Sequence, residues 1–211
     1  MSETGRAGEP QRVRPVEKQD LAPLAAVLVD AFYEDPVTVY LFPSEASRRR
    51  RLARYFGFQL RRVGEVGGLI YTTDDLAGVS LWLPPKRRPP TLSSALGQLF
   101  GVLFILGAQT GRAVALADQL ERVRPKEAHY YLAGIGVAPA RQATGVGSLL
   151  LRPVLGQADE ECVPVYLESS RQENIGFYRR HGFEVTGEVG RVRGGSPPLW
   201  CMRRQPVPPA S

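Results

Sequence analysis

The feature that most constrains the fold is the segment RQATGVGSLL, Arg141 to Leu150, in which two glycines stand directly before an apolar run. A strand-like run, HYYLAGIGVAPA, comes before this segment and ends at Pro139. After it, apolar residues recur at helical spacing: Val146, Leu149, Leu150, Val154 and Ala158. The pattern predicts a strand, a tight turn and a helix start, and glycines there let backbone amides approach a phosphate because they have no Cβ.

Three kinds of phosphate site are compatible with glycines at a helix start, and spacing separates them. A P-loop requires a Gly-Lys-Ser/Thr end that this segment does not have. A dinucleotide-binding turn requires a third glycine where Leu150 stands, although Glu168 lies near the distance expected for a ribose-binding acid. The remaining pattern is Gln142-x-x-Gly145-x-Gly147, whose amides would face a pyrophosphate at the positive end of the helix dipole. A glycine turn that only packs the helix tightly on the strand is the alternative.

The whole chain predicts a mixed α/β order in one domain spanning residues 11–204, with disordered tails at residues 1–10 and 205–211. Periodicity predicts these elements in order: a strand in RVRPVEK, a helix in QDLAPLAAVLVDAFYED, an arginine-rich helix from Ser44 to Val63, a hairpin of GGLIYTTDD and GVSLWLPP, one or two helices within 91–121, the strand and helix around the glycine turn, a buried strand in VPVYLESS, a short helix closed by Gly182, and a hairpin of FEVTGEV and PLWCMRRQ.

Composition excludes several classes of function. The two cysteines, Cys162 and Cys201, have no metal-ligand spacing, so we expect neither a metal nor a disulfide framework. The longest apolar segment, ALGQLFGVLFILGA, has 14 residues, which is too short to span a bilayer. The net charge of +6 suits an anionic ligand, but the run Arg48 to Arg51 has no interleaved aromatics and is interpreted as a solvated helix face. We expect a cytoplasmic monomer or homodimer that binds neither nucleic acid nor membrane.

The Gln-x-x-Gly-x-Gly turn, the strand before it and the segment ENIGFYRRHGFEV resemble the GCN5-related N-acetyltransferases (GNAT). In one branch of that family RPKE, GVAP, VGS, VPVYLESS, FYRRHGFEVT and WCMRR occur in this order, and LVDAFYEDP is similar to the first helix and the loop after it. The resemblance covers about residues 12–204 and is strong from residue 124 onward. It implies the α/β (α+β) GNAT fold, a mixed central sheet of about seven strands flanked by helices, with acetyl-CoA as co-substrate and no metal.

The resemblance also implies which residues bind the cofactor. The backbone of Ile135, Gly136 and Val137 would pair with the pantetheine amides. The pyrophosphate would be wrapped by Gln142, Ala143, Thr144, Gly145, Val146, Gly147 and Ser148, while Asn174 and Tyr178 would meet the pantetheine arm and the thioester sulfur. Two residues depart from the family pattern: Ala143 replaces a usual glycine, and Thr144 replaces a residue that is often basic, for which Arg141 is a candidate substitute.

Acetyl transfer to an amine needs a group that removes a proton from the attacking ammonium and one that protonates the leaving thiolate. Tyr178 is the candidate acid, with a core tyrosine as the alternative. Glu168 is the candidate base or amine anchor, with a structurally paired carboxylate as the alternative. The residues expected to bind the acceptor lie in the loop after the first helix: Phe32, Tyr33, Asp35 and Tyr40. Asp35 is predicted either to hold an ammonium or to end the helix as a turn residue.

The expected activity is acetylation of a primary amine on a small molecule, such as a puromycin-like antibiotic or a biosynthetic intermediate. An antibiotic-resistance role would follow from the first substrate. The alternatives are a protein N-acetyltransferase and a non-catalytic CoA-binding sensor. The apolar segment within 91–121 favours a covered pocket over the open groove that a protein substrate needs. Tyr178 and Asn174 favour an enzyme over a sensor, whereas Ala143 and Thr144 favour the sensor.

Overall fold

The computed structural model describes residues 11–86, 105–190 and 195–207, and its elements follow the predicted order. The predicted N-terminal tail at 1–10, residues 208–211 of the predicted tail at 205–211, and the predicted helical residues 91–104 lie outside the described residues. The strands are β1 Val13–Pro15, β2 Leu69–Thr73, β3 Gly78–Leu83, β4 Tyr130–Val137, β5 Val165–Ser169, β6 Glu184–Val189 and β7 Leu199–Arg204. The α-helices described are α1 Leu21–Phe32, α2 Pro36–Leu41, α3 Glu45–Glu65, α4 Thr110–Val123, α5 Val146–Glu160 and α6 Glu173–Arg179.

The strands form one seven-stranded sheet in the order β1-β2-β3-β4-β5-β7-β6. Every neighbouring pair is antiparallel except β4 and β5, which run parallel. The helix α5 makes the crossover between these two strands, as a parallel connection requires. The predicted mixed sheet flanked by helices is therefore confirmed.

Helices cover both faces of the sheet. On the α1/α3 face, Leu28 of α1 and Leu60 of α3 are buried with Val79 and Leu81 of β3. The α5/α6 face buries residues of both helices against Leu132 of β4 and Leu167 of β5, among others. Successive side chains of a strand point to opposite faces, so Tyr131 and Tyr166 lie on the α1/α3 face, where α4 also packs.

The interpretation of the run Arg48 to Arg51 as a solvated face is wrong for two of its members. Arg48 is only 3% exposed, and it donates to the carbonyl oxygens of Phe42 and Pro43. Arg51 donates to the carbonyl oxygens of Ile105 and Leu106. Helix ends leave carbonyls without intrahelical partners, and the guanidinium has several donors with which to satisfy them. The arginine run therefore joins α3 to the end of α2 and to the residues before α4.

Within the described ranges, no helix is long and apolar enough to cross a bilayer. Part of the longest apolar segment, residues 95–104, lies outside these ranges. The same ranges contain no group of three histidine, cysteine, aspartate or glutamate side chains that could hold a metal ion. At the C-terminal end, the N–H of Val207, inside the predicted tail, donates to Asp159 of α5 at 2.7 Å.

Candidate functional site

The sheet opens between β4 and β5. These parallel strands pair only at Tyr130 with Val165 and at Tyr131 with Tyr166. Beyond that point residues 132–137 of β4 keep their pairing with β3 but have no paired strand on the β5 side among the described residues. We call this opening the fork, with Tyr131 and Tyr166 at its vertex. Along the β5 side of β4, the fork leaves backbone donors and acceptors available to an extended ligand.

A bulge in β4 lies at the start of the fork. Leu81 of β3 pairs with Gly134, while the next residue, Trp82, pairs with Leu132. Ala133 is thus the extra residue of a β-bulge, and it is exposed. A bulge bends its strand and increases the local twist. The bend directs β4 away from β5 immediately after the vertex.

The three residues predicted to bind pantetheine are Ile135, Gly136 and Val137. All lie on the part of β4 that is paired with β3 but not with β5. The side chains of Ile135 and Val137 pack toward α5. Gly136 has a separate packing reason, because a Cβ there would lie 2.9 Å from a methyl carbon of Leu28. The absence of a side chain lets α1 lie close against β4. What these residues offer within the fork is their backbone.

The glycine turn connects the open end of β4 to α5. Gln142 donates from its side chain to the carbonyl of Val137, which ties the turn to the strand end. Gly145 has φ +91°, and the first helical hydrogen bond runs from the N–H of Leu149 to its carbonyl. The amides of residues 146–148 therefore precede the first hydrogen bond of α5. Residues 142–145 are exposed, so the turn and the positive end of the helix dipole form a surface suited to an anion.

Two residues of this turn depart from the family pattern, Ala143 and Thr144, and each has a distinct conformation or contact in the structure. Ala143 adopts φ +60°, a left-handed conformation that costs a residue with a Cβ about 1–2 kcal/mol. Thr144 donates from its hydroxyl to the carbonyl of Arg141 at 2.7 Å. The side chain of Arg141 pairs with Asp75 at 2.5 Å and also donates to Gln11. The cation considered as a substitute for a basic residue at 144 is thus engaged with the β2–β3 hairpin.

Gly147 also has a packing role. A Cβ at this residue would lie 3.2 Å from the ring carbon Cζ of Phe177. The absence of a side chain at this residue therefore lets α6 pack against the first turn of α5. The sequence predicts, in addition, that it lets the backbone approach a phosphate. Ser148, in the same turn, lies 2.9 Å from the Nε2 of His181 just beyond α6, so the two helices are joined by a polar contact as well.

Tyr178 lies on α6 and is 6% exposed. Its ring makes edge-on contacts with Phe177 and Phe183, at centroid distances of 5.1 and 5.8 Å. Burial raises the pKa of its phenol well above 10, and the nearby negative charge of Asp35 raises it further. Tyr178 is therefore a proton donor throughout the neutral range. Asn174 lies one helical turn earlier and is exposed.

The predicted acceptor loop is partly helical, because Asp35 and Pro36 begin α2 and place Tyr40 within it. Asp35 is the N-cap, and its Oδ1 accepts from the amides of Val37 and Thr38. A proline at the first helical position supports this start because its fixed φ suits a helix and it has no N–H to satisfy. The sequence does not indicate a helix here because six residues are too few to show helical periodicity.

Asp35 also ties this segment to the turn after β5. Its Oδ2 accepts a short hydrogen bond from the hydroxyl of Ser170. The guanidinium of Arg171 donates to the carbonyl of Glu34 at 2.7 Å. These contacts hold the α1–α2 turn against the residues that lead into α6. Direct contact between Asp35 and an acceptor ammonium stays a prediction.

The three aromatic residues of the predicted acceptor set differ in their surroundings. Phe32 packs against Phe56 of α3 at a centroid distance of 5.3 Å. Tyr33 has the guanidinium groups of two residues, Arg48 and Arg49, each 5.2 Å from its ring centroid. Tyr40 is 9% exposed, and Arg112 of α4 lies 5.2 Å from the centroid of its ring. Cations thus surround the aromatic surface on this side of the sheet.

Glu168 lies on β5, two residues past the vertex of the fork, and its side chain is 5% exposed. The nearest cation in the described part of the chain is Arg124, whose Nη2 lies 3.8 Å from Oε1. The phenol rings of Tyr131 and Tyr166 stack beside it with centroids 6.2 Å apart. Burial raises the pKa of the Glu168 carboxyl, and hydrogen bonding from Tyr131 and the charge of Arg124 oppose that rise. The fork thus has a buried carboxylate beside its vertex.

The two candidate catalytic groups approach the fork from opposite faces of the sheet. Tyr178 is buried with Leu132 and Leu167 on the α5/α6 face. Glu168 alternates with Leu167 along β5 and therefore lies on the α1/α3 face. A group at the fork can accordingly lose a proton on one side and receive one on the other. Arg124, Tyr131, Tyr166 and Ser170 were not singled out from the sequence, although Arg124 lies in the RPKE motif.

The sequence matches known acetyltransferases over most of its length. Residues 102–185 match the family described as the acetyltransferase (GNAT) domain. An uncharacterized N-acetyltransferase of Schizosaccharomyces pombe is 30% identical over 204 residues, covering 90% of this chain and 82% of the yeast protein.

Solved structures agree with this match. A Corynebacterium glutamicum structure, described as histone acetyltransferase HPA2 and related acetyltransferase, superposes with a TM-score of 0.70 at 25% identity, covering 95% of this chain and 99% of the other. The ribosomal-protein-S18-alanine N-acetyltransferase of Escherichia coli shares the fold, with a TM-score of 0.55 at 14% identity and coverage of 96% and 97%. The expected fold and the assignment as an acetyltransferase are confirmed, and this chain belongs to the GNAT family of N-acetyltransferases.

Proposed function

We propose that this enzyme transfers the acetyl group of acetyl-CoA to the primary amine of a small molecule bound on the α1/α3 face of the fork. The observation that carries the proposal is the fork itself, an unpaired strand edge with a protonated phenol on one face and a buried carboxylate on the other. Enzymes of the GNAT family generally use acetyl-CoA as donor. The question for this chain is which of its residues bind the donor and which bind the acceptor.

The unpaired edge of β4 suits the pantetheine arm, which is extended and carries two amides. Such a ligand adds to a sheet edge as a further strand, through backbone hydrogen bonds to residues 135–137. The pyrophosphate would then lie at the turn from Gln142 to Gly145 and at the amides of Val146, Gly147 and Ser148. Asn174, exposed on α6, would contact the arm from the opposite side.

Acetyl-CoA supplies an acetyl group activated as a thioester. Glu168 accepts the proton that the acceptor ammonium must lose before its nitrogen can form a bond to the acetyl carbon. Tyr178 donates its phenolic proton to the sulfur as the carbon–sulfur bond breaks. The raised pKa of the phenol keeps it protonated at neutral pH, while the Glu168 carboxyl must be ionised to act. As the amide forms, the nitrogen releases its second proton to solvent, and Tyr178 regains a proton from solvent. The products are the acetylated amine, CoA thiol and the proton taken up by Glu168.

The phosphate-binding turn can be tested at Gly145 with Gly145→Ala. The residue has φ +91° with open space around it, so the added methyl strains the backbone without a clash. We expect a loss of about 1–2 kcal/mol in stability and, where the turn shifts to relieve strain, about a tenfold loss in CoA affinity. Calorimetric titration with CoA and thermal unfolding measure the two effects.

The matched control is Gly156→Ala, in the middle of α5, where a Cβ also meets open space. This variant should gain about 0.5–1 kcal/mol in stability, because alanine loses less backbone freedom in a helix, and should keep its CoA affinity. A folded Gly145→Ala protein with unchanged CoA affinity would remove the turn from the donor site.

The acceptor side combines aromatic surface with many cations and few carboxylates. A guanidinium lies close to the ring centroid of each of three tyrosines. The distances are 5.2 Å at Tyr33, 5.2 Å at Tyr40 and 4.7 Å at Tyr131. The two candidate acceptor carboxylates, Asp35 and Glu168, are both already engaged with polar neighbours. A polycationic aminoglycoside would meet strong repulsion here, whereas a single amine on a flat body would meet much less. This supports an acceptor such as a puromycin-like aminoacyl nucleoside, in line with the resemblance of the sequence motifs to those of puromycin N-acetyltransferase.

A thiol-release assay with four acceptors at equal concentration tests the acceptor class. We expect puromycin and tyramine to give kcat/KM values at least about tenfold above that of kanamycin. An alanine-terminated peptide is the fourth acceptor, because the E. coli relative is a ribosomal-protein-alanine acetyltransferase. Faster turnover of the peptide would replace the small-molecule proposal with protein acetylation. CoA binding without thiol release from any acceptor would favour a sensor.

A further inference from the structure

The RPKE segment, Arg124 to Glu127, joins the end of α4 to two strands of the sheet. The N–H of Arg124 closes α4 by donating to the carbonyl of Leu120, after which the backbone turns extended. Glu127 pairs with Arg203 of β7 at 2.8 Å. Arg124 approaches Glu168 of β5 at 3.8 Å. The motif therefore fixes the position of one guanidinium relative to the fork.

The guanidinium of Arg124 is held on several sides. It lies over the ring of Tyr131, 4.7 Å from the centroid, at the vertex of the fork. Its Nη1 pairs with Glu121 of α4 at 2.9 Å, on the exposed side of the cluster. Its Nη2 points to Glu168, on the buried side. An arginine stacked on an aromatic ring keeps its planar group in a defined orientation.

Among the described residues, the other titratable groups around Glu168 supply no positive charge in direct contact with it. Tyr131 of β4 and Tyr166 of β5 are phenols, and the pKa of each is raised by burial, so both are neutral. Cys201 of β7 pairs opposite Glu168, and burial raises its thiol pKa too. Farther out, Tyr55 of α3 lies near Tyr131, and the ring of His129 contacts the ring of Tyr166.

We propose that Arg124 is a positioning residue for acetyl transfer, whose guanidinium keeps Glu168 ionised and holds its carboxylate beside the vertex of the fork. The inference rests on the proposed role of Glu168 as proton acceptor. Hydrogen bonding from Tyr131 also favours the charged carboxylate of Glu168. A buried carboxylate that loses its cation nevertheless binds a proton more readily, and a protonated carboxyl cannot accept the proton of an ammonium. Arg124 thereby makes a buried residue usable as a base at neutral pH.

The test is the pH profile of kcat/KM for the Arg124→Gln variant with tyramine as acceptor. Arg124 lowers the pKa of Glu168, so its loss raises that pKa and moves the acidic limb of the profile to higher pH. We expect a shift of about one pH unit or more, the size typical of an opposite charge at this distance. The activity should recover as the pH approaches 9. A purely structural role would lower the activity by one factor at every pH and leave the limb in place, which would overturn the proposal.

Two further variants provide controls. Arg122→Gln removes the same charge two residues earlier, where Arg122 is exposed and pairs with Asp118 at 2.8 Å. Its acidic limb should stay at the wild-type pH. Arg124→Lys keeps the charge and should keep the limb within about 0.5 pH unit, although its kcat falls because lysine has no planar group to stack on Tyr131. If Arg124→Gln does not fold, a full shift of about one unit in Arg124→Lys contradicts the proposal, and a retained limb supports it.

The Glu168→Gln variant distinguishes the positioning role of Arg124 from the proposed role of Glu168 as proton acceptor. Full activity in Glu168→Gln would refute the role of Glu168 as base, and the role of Arg124 with it. A strong loss in Glu168→Gln together with an unshifted limb in Arg124→Gln would refute the positioning role alone. A strong loss in the first variant and a shifted limb in the second support both.

Discussion

Replacing Tyr178 by phenylalanine is expected to lower kcat by roughly 10²- to 10⁴-fold, the usual contribution of a general acid. The substitution removes one hydroxyl and keeps the ring that packs between Phe177 and Phe183. Folding and CoA affinity should therefore be retained. Because the pKa of the phenol lies well above 10, Tyr178 is protonated between pH 6 and 9, and the loss should be uniform over that range.

The control for this variant is Tyr130→Phe. Tyr130 is also a buried tyrosine of the α5/α6 face, but its hydroxyl donates to Glu161 at 2.7 Å, at the closed end of the β4–β5 pair. Its loss should cost about 1 kcal/mol of stability and leave kcat unchanged. Steady-state kinetics and thermal unfolding on both variants give the comparison. A wild-type kcat in Tyr178→Phe would reduce Tyr178 to a packing residue.

Replacing Glu168 by glutamine should lower kcat/KM at pH 7 by a similar factor, roughly 10²- to 10⁴-fold, because the amide cannot accept a proton. The acidic limb of the pH profile should also disappear from the residual activity. Folding disfavours the ionised form of this buried carboxyl, so its pKa is raised and its contribution to stability is lost as the pH rises above its unfolded value. At neutral pH the glutamine variant should therefore be at least as stable as the wild type.

Glu161→Gln is the matched control, because it makes the same change at an exposed residue. The carboxylate of Glu161 accepts the hydrogen bond from the hydroxyl of Tyr130. Its kcat/KM should stay within about twofold of the wild type, as is usual for surface substitutions. Thiol release measured from pH 5 to 9 on both variants decides the matter. A Glu168→Gln protein with near wild-type kcat/KM would return Glu168 to the alternative of a structurally paired carboxylate.

Local patterns were sufficient for the strands, the longer helices and the glycine turn. Alternation marks β5, helical spacing marks α5, and the conformations of Gly145 and Gly182, with φ +91° and +82°, occur at residues that tolerate them. The bulge at Ala133 has no such marker, because this residue has no positive φ that would require a glycine. The opening of the sheet at this point was implied only by the resemblance to a family.

The parts that escaped prediction depend on residues far apart in the chain. Arg124 and Glu168 come together only because α4 ends beside β5, so neither residue alone reveals the ion pair. The burial of Arg48 similarly depends on carbonyls left at the end of a helix that is too short to be recognised. Asp35 was interpreted as a turn residue or an ammonium ligand, and its bond to Ser170 required the loop after β5 to be placed.

The fork has a consequence for how such enzymes diversify. N–H and C=O groups are the same in every residue except proline, so a strand edge that binds its ligand through the backbone tolerates many side chains. The proposed donor site on β4 then leaves the side chains of the α1/α3 face free to change with the acceptor. An ancestral enzyme could exchange one amine for another without rebuilding its thioester site. The fold itself is retained in the E. coli structure at 14% identity.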